Sequence, residues 1–253
     1  MKKTVSHYLI GIDEAGRGPL AGPVAVGAFS IRSKDILKKF HGVKDSKQLS
    51  EKQREEWFTR ISKEANPPSH LPSVELRKAR KQKRNVYYTV SFASPKTIDT
   101  KGLSHAIYSA LNRCLRRLEL NSSISSDSKI LLDGSLYASS RYSDQTTIID
   151  GDSKEQIIAL ASICAKVLRD RRMKKFAKEY PEYGFEVHKG YGTKAHYKAI
   201  RKHGLSAIHR KSFCKGVRWI CFHTKSRTIS DAIASLSMKL PADEYEDIFI
   251  GFL

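Results

Sequence analysis

Five short apolar or β-branched segments recur along the chain and predict strands. The first two are separated by a turn rich in Gly and Pro at residues 16–23. Strands early in the chain, followed by strands mixed with helices, favour an α/β domain with a mixed sheet. The predicted strands cover residues 8–12, 24–31, 86–93, 129–132 and 146–149, and the last two are expected to be short buried strands.

Helical periodicity and N-cap signals mark the segments between and after these strands. Ser50 with Gln53 three residues later forms a capping box, and Ser153 with Gln156 repeats the pattern. Thr193 is a further N-cap candidate, and apolar residues recur at helical spacing after Thr100. The predicted helices cover residues 51–64, 100–120, 153–179, 194–203 and 229–240.

Basic residues exceed acidic ones, since 46 Lys and Arg against 26 Asp and Glu give a net charge of +20 at pH 7. The excess is concentrated, because residues 187–230 contain no Asp or Glu. Such clustering is typical of a surface that faces nucleic-acid phosphates, the alternative being a solvated basic face. We therefore divide the chain into an α/β domain at 1–185, a basic helical extension that binds substrate at 186–225, and a C-terminal tail at 226–253.

Length and composition exclude several other classes of protein. With 253 residues, of which 40% are hydrophobic and 28% charged, the chain can bury a core and is neither disordered nor a membrane protein. Its four cysteines form no Cys-x-x-Cys pair, which argues against a zinc site or a disulfide frame. No secretory signal is readable after Met1, so we expect a cytoplasmic monomer with no membrane partner.

Acidic residues follow three of the predicted strands. Asp13 and Glu14 come after the first, Asp133 after the fourth, and Asp150 and Asp152 after the fifth. Converging carboxylates without buried Lys or Arg are most readily held by a divalent cation, and oxygen ligands favour Mg²⁺ or Mn²⁺. Together with the basic surface, this indicates phosphodiester hydrolysis assisted by two metal ions. For any single Asp-Gly pair the alternative is a turn.

Four sequence blocks support a family resemblance that covers residues 8 to about 215. They are GIDEAGRGPLAGPV at 11–24, DSKQLS at 45–50, GD at 151–152 with ASICAKVLRDR at 161–171, and HKGYGTK at 188–194 with IHRKSF at 208–213. In these blocks the chain resembles bacterial ribonuclease HII, the type 2 ribonuclease H. The resemblance implies a ribonuclease H-like fold, in which helices flank a mixed five-stranded sheet, and a C-terminal basic helical extension that helps hold the duplex.

The activity implied by the resemblance is that of an endoribonuclease, a ribonuclease H that hydrolyses RNA in RNA/DNA hybrids. It also cuts 5′ of ribonucleotides embedded in duplex DNA, as in ribonucleotide excision repair, and leaves 5′-phosphomonoesters. Carried over position by position, the catalytic and metal-binding acids are Asp13, Glu14, Asp133 and Asp152. The substrate-binding residues are Gly16, Arg17 and Gly18, whose main chain reads the ribose 2′-hydroxyl, Tyr191, which packs against the deoxyribose on the 3′ side, and Lys47, which meets a phosphate.

The chain departs from the family pattern in several places. Asp150 stands where the family usually has Lys, which adds negative charge beside the metal site. A basic segment at 77–84 and the tail at 226–253 have no assigned counterpart. The last residues, 247–253, are a candidate sliding-clamp peptide, the alternative being a packed or frayed terminus.

Two other functions stay open at this point. A ribonuclease HIII-like enzyme has the same fold and broader hybrid specificity, but it typically carries an extra N-terminal substrate-binding domain and a different residue where this chain has Arg17. A non-catalytic basic nucleic-acid-binding protein explains the charge but leaves the four acids without a role. A Mg²⁺-dependent cleavage assay separates the enzyme from the binding protein.

Overall fold

The computed structural model describes residues 8–65, 85–121 and 124–216. Its strands are β1 (Leu9–Ala15), β2 (Val24–Ile31), β3 (Val86–Ala93), β4 (Lys129–Asp133) and β5 (Gln145–Ile148). The α-helices in this part of the chain are α1 (Glu51–Glu64), α2 (Pro95–Lys101), α3 (Leu103–Asn121), α4 (Gly151–Lys154), α5 (Gln156–Glu179), α6 (Phe185–His188) and α7 (Lys194–His203). Short 3-10 helices cover Lys34–Phe40, Pro181–Tyr183 and Lys211–Phe213.

The strands form one mixed sheet in the order β3-β2-β1-β4-β5. β1 pairs antiparallel with β2 and β2 with β3, whereas β4 is parallel to both β1 and β5. Because β1 and β4 run in the same direction, Ile12 lies beside Leu132 and both strands end at the same edge of the sheet. The predicted five-stranded mixed sheet with flanking helices is confirmed.

Successive side chains of a strand point to opposite faces of the sheet, and here both faces carry an apolar layer. On one face, Ile10 and Ile12 of β1 belong to the same buried cluster as Leu111 of α3. On the other face, residues of α1 and α5 cover the strands. Helix α5 lies very close to the sheet, because a side chain at Gly11 or Gly27 would collide with its backbone. These two glycines allow the long helix to reach the strand that carries the first two acids.

Two strands differ from the sequence-based expectation. β1 continues through Asp13 and Glu14 to Ala15, so these acids lie within the strand rather than after it. β5 is an edge strand in which Thr146 and Thr147 are exposed, so the expectation of a buried fifth strand was wrong. Among the described strands, β5 pairs only with β4.

Helix boundaries also differ from the predictions at two places. The predicted helix 100–120 is two helices, because Gly102 adopts φ 82 between α2 and α3. The predicted helix 153–179 is likewise divided, because Glu155 is extended between α4 and α5. Ser153 therefore lies inside α4 and caps nothing; its hydroxyl donates to the carbonyl of Asp150.

Two predicted helix starts are confirmed. The backbone N–H of Gln53 donates to Ser50 Oγ, and the N–H of Ser50 donates to Gln53 Oε1, which is the predicted capping box of α1. At the start of α7, Thr193 Oγ1 accepts from the N–H of His196.

Several predictions concern residues outside the described part of the chain. They are the basic segment 77–84, the helix 229–240 and the clamp peptide within the tail 226–253. The chain divides into two compact units, Met1–Val217 and Arg218–Leu253, and every described residue belongs to the first. The domain boundaries at 185 and 225 stay predictions. Within the described ranges, no helix combines the length and the apolar character needed to cross a membrane.

Candidate active site

Three of the four predicted acids meet at one edge of the sheet. Asp13 lies near the end of β1 and Asp133 is the last residue of β4, and the pairing of Ile12 with Leu132 makes the two acids lateral neighbours. Asp152 comes from α4, directly after β5. Carboxylate oxygens of these three acids all lie within 4.8 Å of one another.

Glu14 lies outside this cluster, because consecutive residues of a strand point to opposite faces of the sheet. Asp13 faces α5, whereas Glu14 faces the opposite layer. Glu14 Oε1 accepts a hydrogen bond from Arg17 Nη1 at 3.1 Å. Its Oε2 is buried and has no hydrogen-bond partner among the residues that the structure describes. Glu14 thus presents a free oxygen, and its role as a metal ligand stays a prediction.

Asp152 links the cluster to two other segments. The N–H groups of Gly151 and Asp152 donate to Asp133 Oδ1 at 2.7 and 3.3 Å. Lys47 Nζ donates to Asp152 Oδ2 at 2.9 Å, and this ion pair raises the pKa of the Lys47 ammonium. Asp45 is also a neighbour of Asp152, although burial is the main cause of its raised pKa. Lys47 Nζ therefore lies at the edge of the acidic cluster. Its contact with a substrate phosphate stays a prediction.

Sequence reasoning missed a pair of serines that support Asp13. Ser162 of α5 lies near the Asp13 carboxylate and offsets part of the rise that burial causes in the pKa of Asp13, and Ser162 Oγ lies 2.7 Å from Ser46 Oγ. Both serines are buried. They lie inside the blocks at 161–171 and 45–50 that carry the family resemblance, and this position is the signal that points to them.

Burial and mutual repulsion make the cluster an environment for a cation. Burial raises the pKa of Asp13 well above its ordinary value, and the negative charges of Glu14 and Asp133 raise it further. Burial also raises the pKa of Glu14, against the lowering effect of Arg17. Converging carboxylate oxygens are the ligands that hard divalent cations prefer. The donor set therefore fits a divalent metal.

Asp150 lies next to this cluster but is exposed. Its backbone is left-handed, with φ 54 and ψ 41, a conformation that Asp tolerates better than most residues. Its carbonyl accepts from the N–H of Ser153 at 3.1 Å. Because the carboxylate is in solvent, its effect on the metal site is screened by water and salt.

The loop after β1 lies beside Tyr191. Gly16 has φ 92, and a side chain there would collide with a buried arginine of α5, so the loop requires glycine at this position. A Cβ at Gly18 would lie 4.0 Å from a ring carbon of Tyr191. Tyr191 itself is 44% exposed. The structure therefore brings together the predicted Gly-Arg-Gly loop and the predicted tyrosine.

Two buried arginines support this loop from the protein interior. Arg169 of α5 donates to the carbonyls of Pro23 and Lys189, both at 3.0 Å, and so joins the loop to the segment before Tyr191. Arg210 donates to three carbonyls of the loop. Neither arginine was assigned a role from sequence, because a bond to a backbone carbonyl leaves no pattern in the residue that accepts it.

The C-terminal part of the described chain presents a basic surface. Helix α7 buries one side, which includes Ala199 and Ile200, against the rest of the protein. Its other side carries exposed cations, namely Lys194, Lys198, Arg201 and Lys202. This arrangement suits contact with phosphates rather than with an apolar partner.

Comparisons with known proteins agree with this arrangement. A family model described as Ribonuclease HII matches residues 10–216. Ribonuclease HII of Clostridioides difficile (strain 630) is 41% identical over 210 residues, which cover 83% of this chain and 71% of that protein. Ribonuclease HII of Coxiella burnetii (strain Dugway 5J108-111) is 40% identical over 212 residues, covering 83% and 91%. The crystal structure of the ribonuclease H2 from Pyrococcus horikoshii OT3 superposes with a TM-score of 0.55 at 26% identity, covering 81% of this chain and 93% of that chain.

Proposed function

The chain belongs to the ribonuclease HII family, and we propose that it recognises RNA-to-DNA junctions and cuts 5′ of a ribonucleotide embedded in duplex DNA. As a member of this family it is an endoribonuclease that acts on RNA in RNA/DNA hybrids. The observation that carries the finer proposal is the position of the Tyr191 ring beside Gly18, in a loop whose Arg17 bonds to Glu14. The residues proposed to recognise the ribose therefore lie next to one of the acids proposed to act in cleavage.

Divalent metal use fits the acidic cluster. The three convergent carboxylates offer an all-oxygen donor set, and Glu14 Oε2, on the opposite face of β1, has no hydrogen-bond partner among the described residues. We assign this site to Mg²⁺ or Mn²⁺, with Asp13, Asp133 and Asp152 as ligands and Glu14 as a fourth. When bound, such a cation stabilises the negative charge that develops on the phosphodiester and lowers the pKa of a water molecule.

The protein's own groups supply binding and orientation. Backbone N–H groups of α4 donate to Asp133, and that of Glu14 donates to Asp13, so both carboxylates are fixed before substrate arrives. The Lys47 side chain is 75% exposed, and its Nζ can exchange Asp152 for a phosphate oxygen of the strand to be cut. The exposed cations of α7 then hold the flanking phosphates.

The expected products follow from which bond breaks. Water attacks the phosphorus on the 5′ side of the ribonucleotide, and the bond from phosphorus to the 3′ oxygen of the preceding nucleotide breaks. That oxygen takes a proton and leaves as a 3′-hydroxyl, and the ribonucleotide retains a 5′-phosphate. The ribose 2′-hydroxyl is recognised by the loop and is not the nucleophile.

Two substrates test the proposal: duplex DNA with one ribonucleotide, and a long RNA/DNA hybrid. Tyr191→Ala should lower kcat/KM about tenfold on the first substrate and less on the second, because only the first always presents a junction. Tyr191→Phe keeps the ring and is the matched control, with kcat/KM near that of the parent. Cleavage of the hybrid by the parent with no cut at a lone ribonucleotide would refute the proposal and favour the ribonuclease HIII-like alternative.

A further inference from the structure

Arg210 binds the loop at residues 16–22 through both its guanidinium and its backbone N–H. Its guanidinium donates to the carbonyls of Gly16 at 2.6 Å, Arg17 at 2.7 Å and Gly22 at 2.9 Å. Its backbone N–H donates to the carbonyl of Leu20 at 2.7 Å. One residue, 0% exposed, thus binds four carbonyls between positions 16 and 22.

These bonds determine where two N–H groups of the loop point. Every described peptide bond is trans, and in a trans peptide the N–H points away from the C=O. Because the carbonyls of Gly16 and Arg17 point inward to the guanidinium, the N–H groups of Arg17 and Gly18 point outward. Both residues are exposed, and neither N–H donates to another group within the described ranges.

We propose that Arg210 is a positioning residue for ribose recognition, which holds the N–H groups of Arg17 and Gly18 toward the substrate 2′-hydroxyl. This inference rests on the proposed function, in which the same loop recognises the ribose. A charged donor on a carbonyl also polarises its peptide group, which makes the N–H of that group a stronger donor. Arg210 therefore sets both the direction and the strength of the two donors.

The chemistry of the contact explains why arginine is needed. The acceptors of Arg210 are neutral carbonyls rather than a carboxylate, and burial together with the charge of Arg169 lowers the pKa of Arg210 to about 9. A buried cation of this kind costs stability, so its retention at a loop that faces substrate points to a role beyond packing. Lysine has a single ammonium and cannot reproduce the planar fork that spans three carbonyls.

Binding without cleavage tests the proposal directly. In EDTA, the dissociation constant is measured for a DNA duplex with one ribonucleotide and for the same duplex in all-deoxy form. The parent should prefer the first duplex. Arg210→Lys and Arg210→Gln should reduce that preference about tenfold, because two oriented hydrogen bonds to the ribose are weakened. The dissociation constant for the all-deoxy duplex should not change.

Arg113→Lys is the matched control. Arg113 of α3 is half-buried and, like Arg210, donates to three neutral acceptors, here on Ser91, Ser109 and Phe92, away from the loop. Its replacement should lower the unfolding temperature but leave the preference for the ribonucleotide unchanged. An equal loss of affinity for both duplexes in the Arg210 variants, or an unchanged preference, would overturn the role of Arg210. A parent that shows no preference would instead overturn the proposed junction recognition.

Amide exchange in the parent protein provides a second test that needs no variant. The N–H groups of Arg17 and Gly18 should exchange rapidly in the free protein, because no group in the described part of the chain accepts a hydrogen bond from them. The ribonucleotide duplex should slow their exchange about tenfold more than the all-deoxy duplex does. Slow exchange in the free protein, or equal protection by both duplexes, would contradict the outward orientation.

Discussion

At the scale of single residues, Asp13 and Glu14 are neighbours in sequence but have different surroundings. Asp13 is 3% exposed and meets Asp133 and Asp152, whereas Glu14 bonds to Arg17. A raised carboxyl pKa means that the folded state binds more protons than the unfolded state. The contribution of Asp13 to stability therefore falls as the pH rises through its folded-state pKa, unless a cation compensates the charge.

Replacing Asp13 by Asn should lower cleavage in Mg²⁺ at least about a hundredfold, while duplex affinity stays close to that of the parent. This expectation follows from the proposal that the carboxylate holds the metal and the basic surface holds the phosphates. In EDTA at pH 7 the unfolding temperature should equal or exceed that of the parent, because one repelling charge is removed. Cleavage rates, dissociation constants and thermal unfolding check the three parts.

Asp150→Asn is the matched control for this experiment, because Asp150 is an exposed acid beside the same site. Its cleavage rate should stay within about threefold of the parent, since exposed charges contribute little. A cleavage rate near that of the parent for Asp13→Asn in Mg²⁺ would contradict the assignment of Asp13 to the metal.

At the scale of elements, a chain of histidine hydrogen bonds joins α7 to the segments on both sides of it. His196 Nδ1 donates to the carbonyl of Tyr191 at 2.9 Å, so its Nε2 accepts from His209 Nε2 at 3.0 Å. His209 Nδ1 in turn accepts from the N–H and hydroxyl of Ser206. This pattern requires both rings to be neutral, and it fixes the backbone of Tyr191.

Acid should break this chain. Burial lowers the pKa of both His196 and His209 from 6.5 to about 4, so the unfolded state binds more protons between these values. The free energy of unfolding should therefore fall as the pH falls from 6.5 to 4, by at most about 3 kcal/mol per histidine, and the histidine contribution should be nearly constant above 6.5. Denaturant titrations at a series of pH values measure this dependence.

Two variants separate the histidine pair from other acid-sensitive groups. His209→Gln should be less stable than the parent at pH 7 but should lose less stability between pH 6.5 and 4. His41→Gln, at an exposed histidine, should follow the parent curve. Equal pH dependence in His209→Gln and the parent would show that the buried pair does not control acid stability.

Elements were predictable where the local signal was strong. β2 and β3 were predicted at the observed bounds because they are continuous apolar segments, and α1 because of the capping box at Ser50. The breaks at Gly102 and Glu155 were missed, because apolar periodicity continues across both. The exposed side of β5 was missed because edge position depends on strand order, which the local pattern does not contain.

At the scale of the whole molecule, the acids were predictable and their supports were not. Asp13 and Asp133 could be placed together because parallel strands end at the same edge of a sheet. The hydrogen bonds of Arg169 and Arg210 go to carbonyls 146 and 194 residues away, and a carbonyl is the same in every residue. Such contacts become visible only when the fold is known.

The net charge of +20 makes a prediction about duplex binding. Each phosphate contact contributes about 0.9 to the slope of log K against log salt, so Lys194→Ala with Lys198→Ala should reduce the slope by about 1.8. Lys34→Ala with Lys129→Ala is the control. Both lysines are exposed and lie near the opposite edge of the sheet, where β1 begins at Leu9. Equal slopes for the two double variants would show that α7 does not face the duplex.

The contact of Arg210 with Gly16 has a consequence for synthesis, because it joins residues 194 positions apart. A ribosome adds residues in order, and the early part of a chain can begin to fold before the rest is made. The growing chain contains Asp13, Asp133 and Asp152 well before it contains Arg210. If Arg210 orients the loop, each growing chain contains the proposed cation ligands first and gains the ability to distinguish ribose from deoxyribose only after residue 210 has been added.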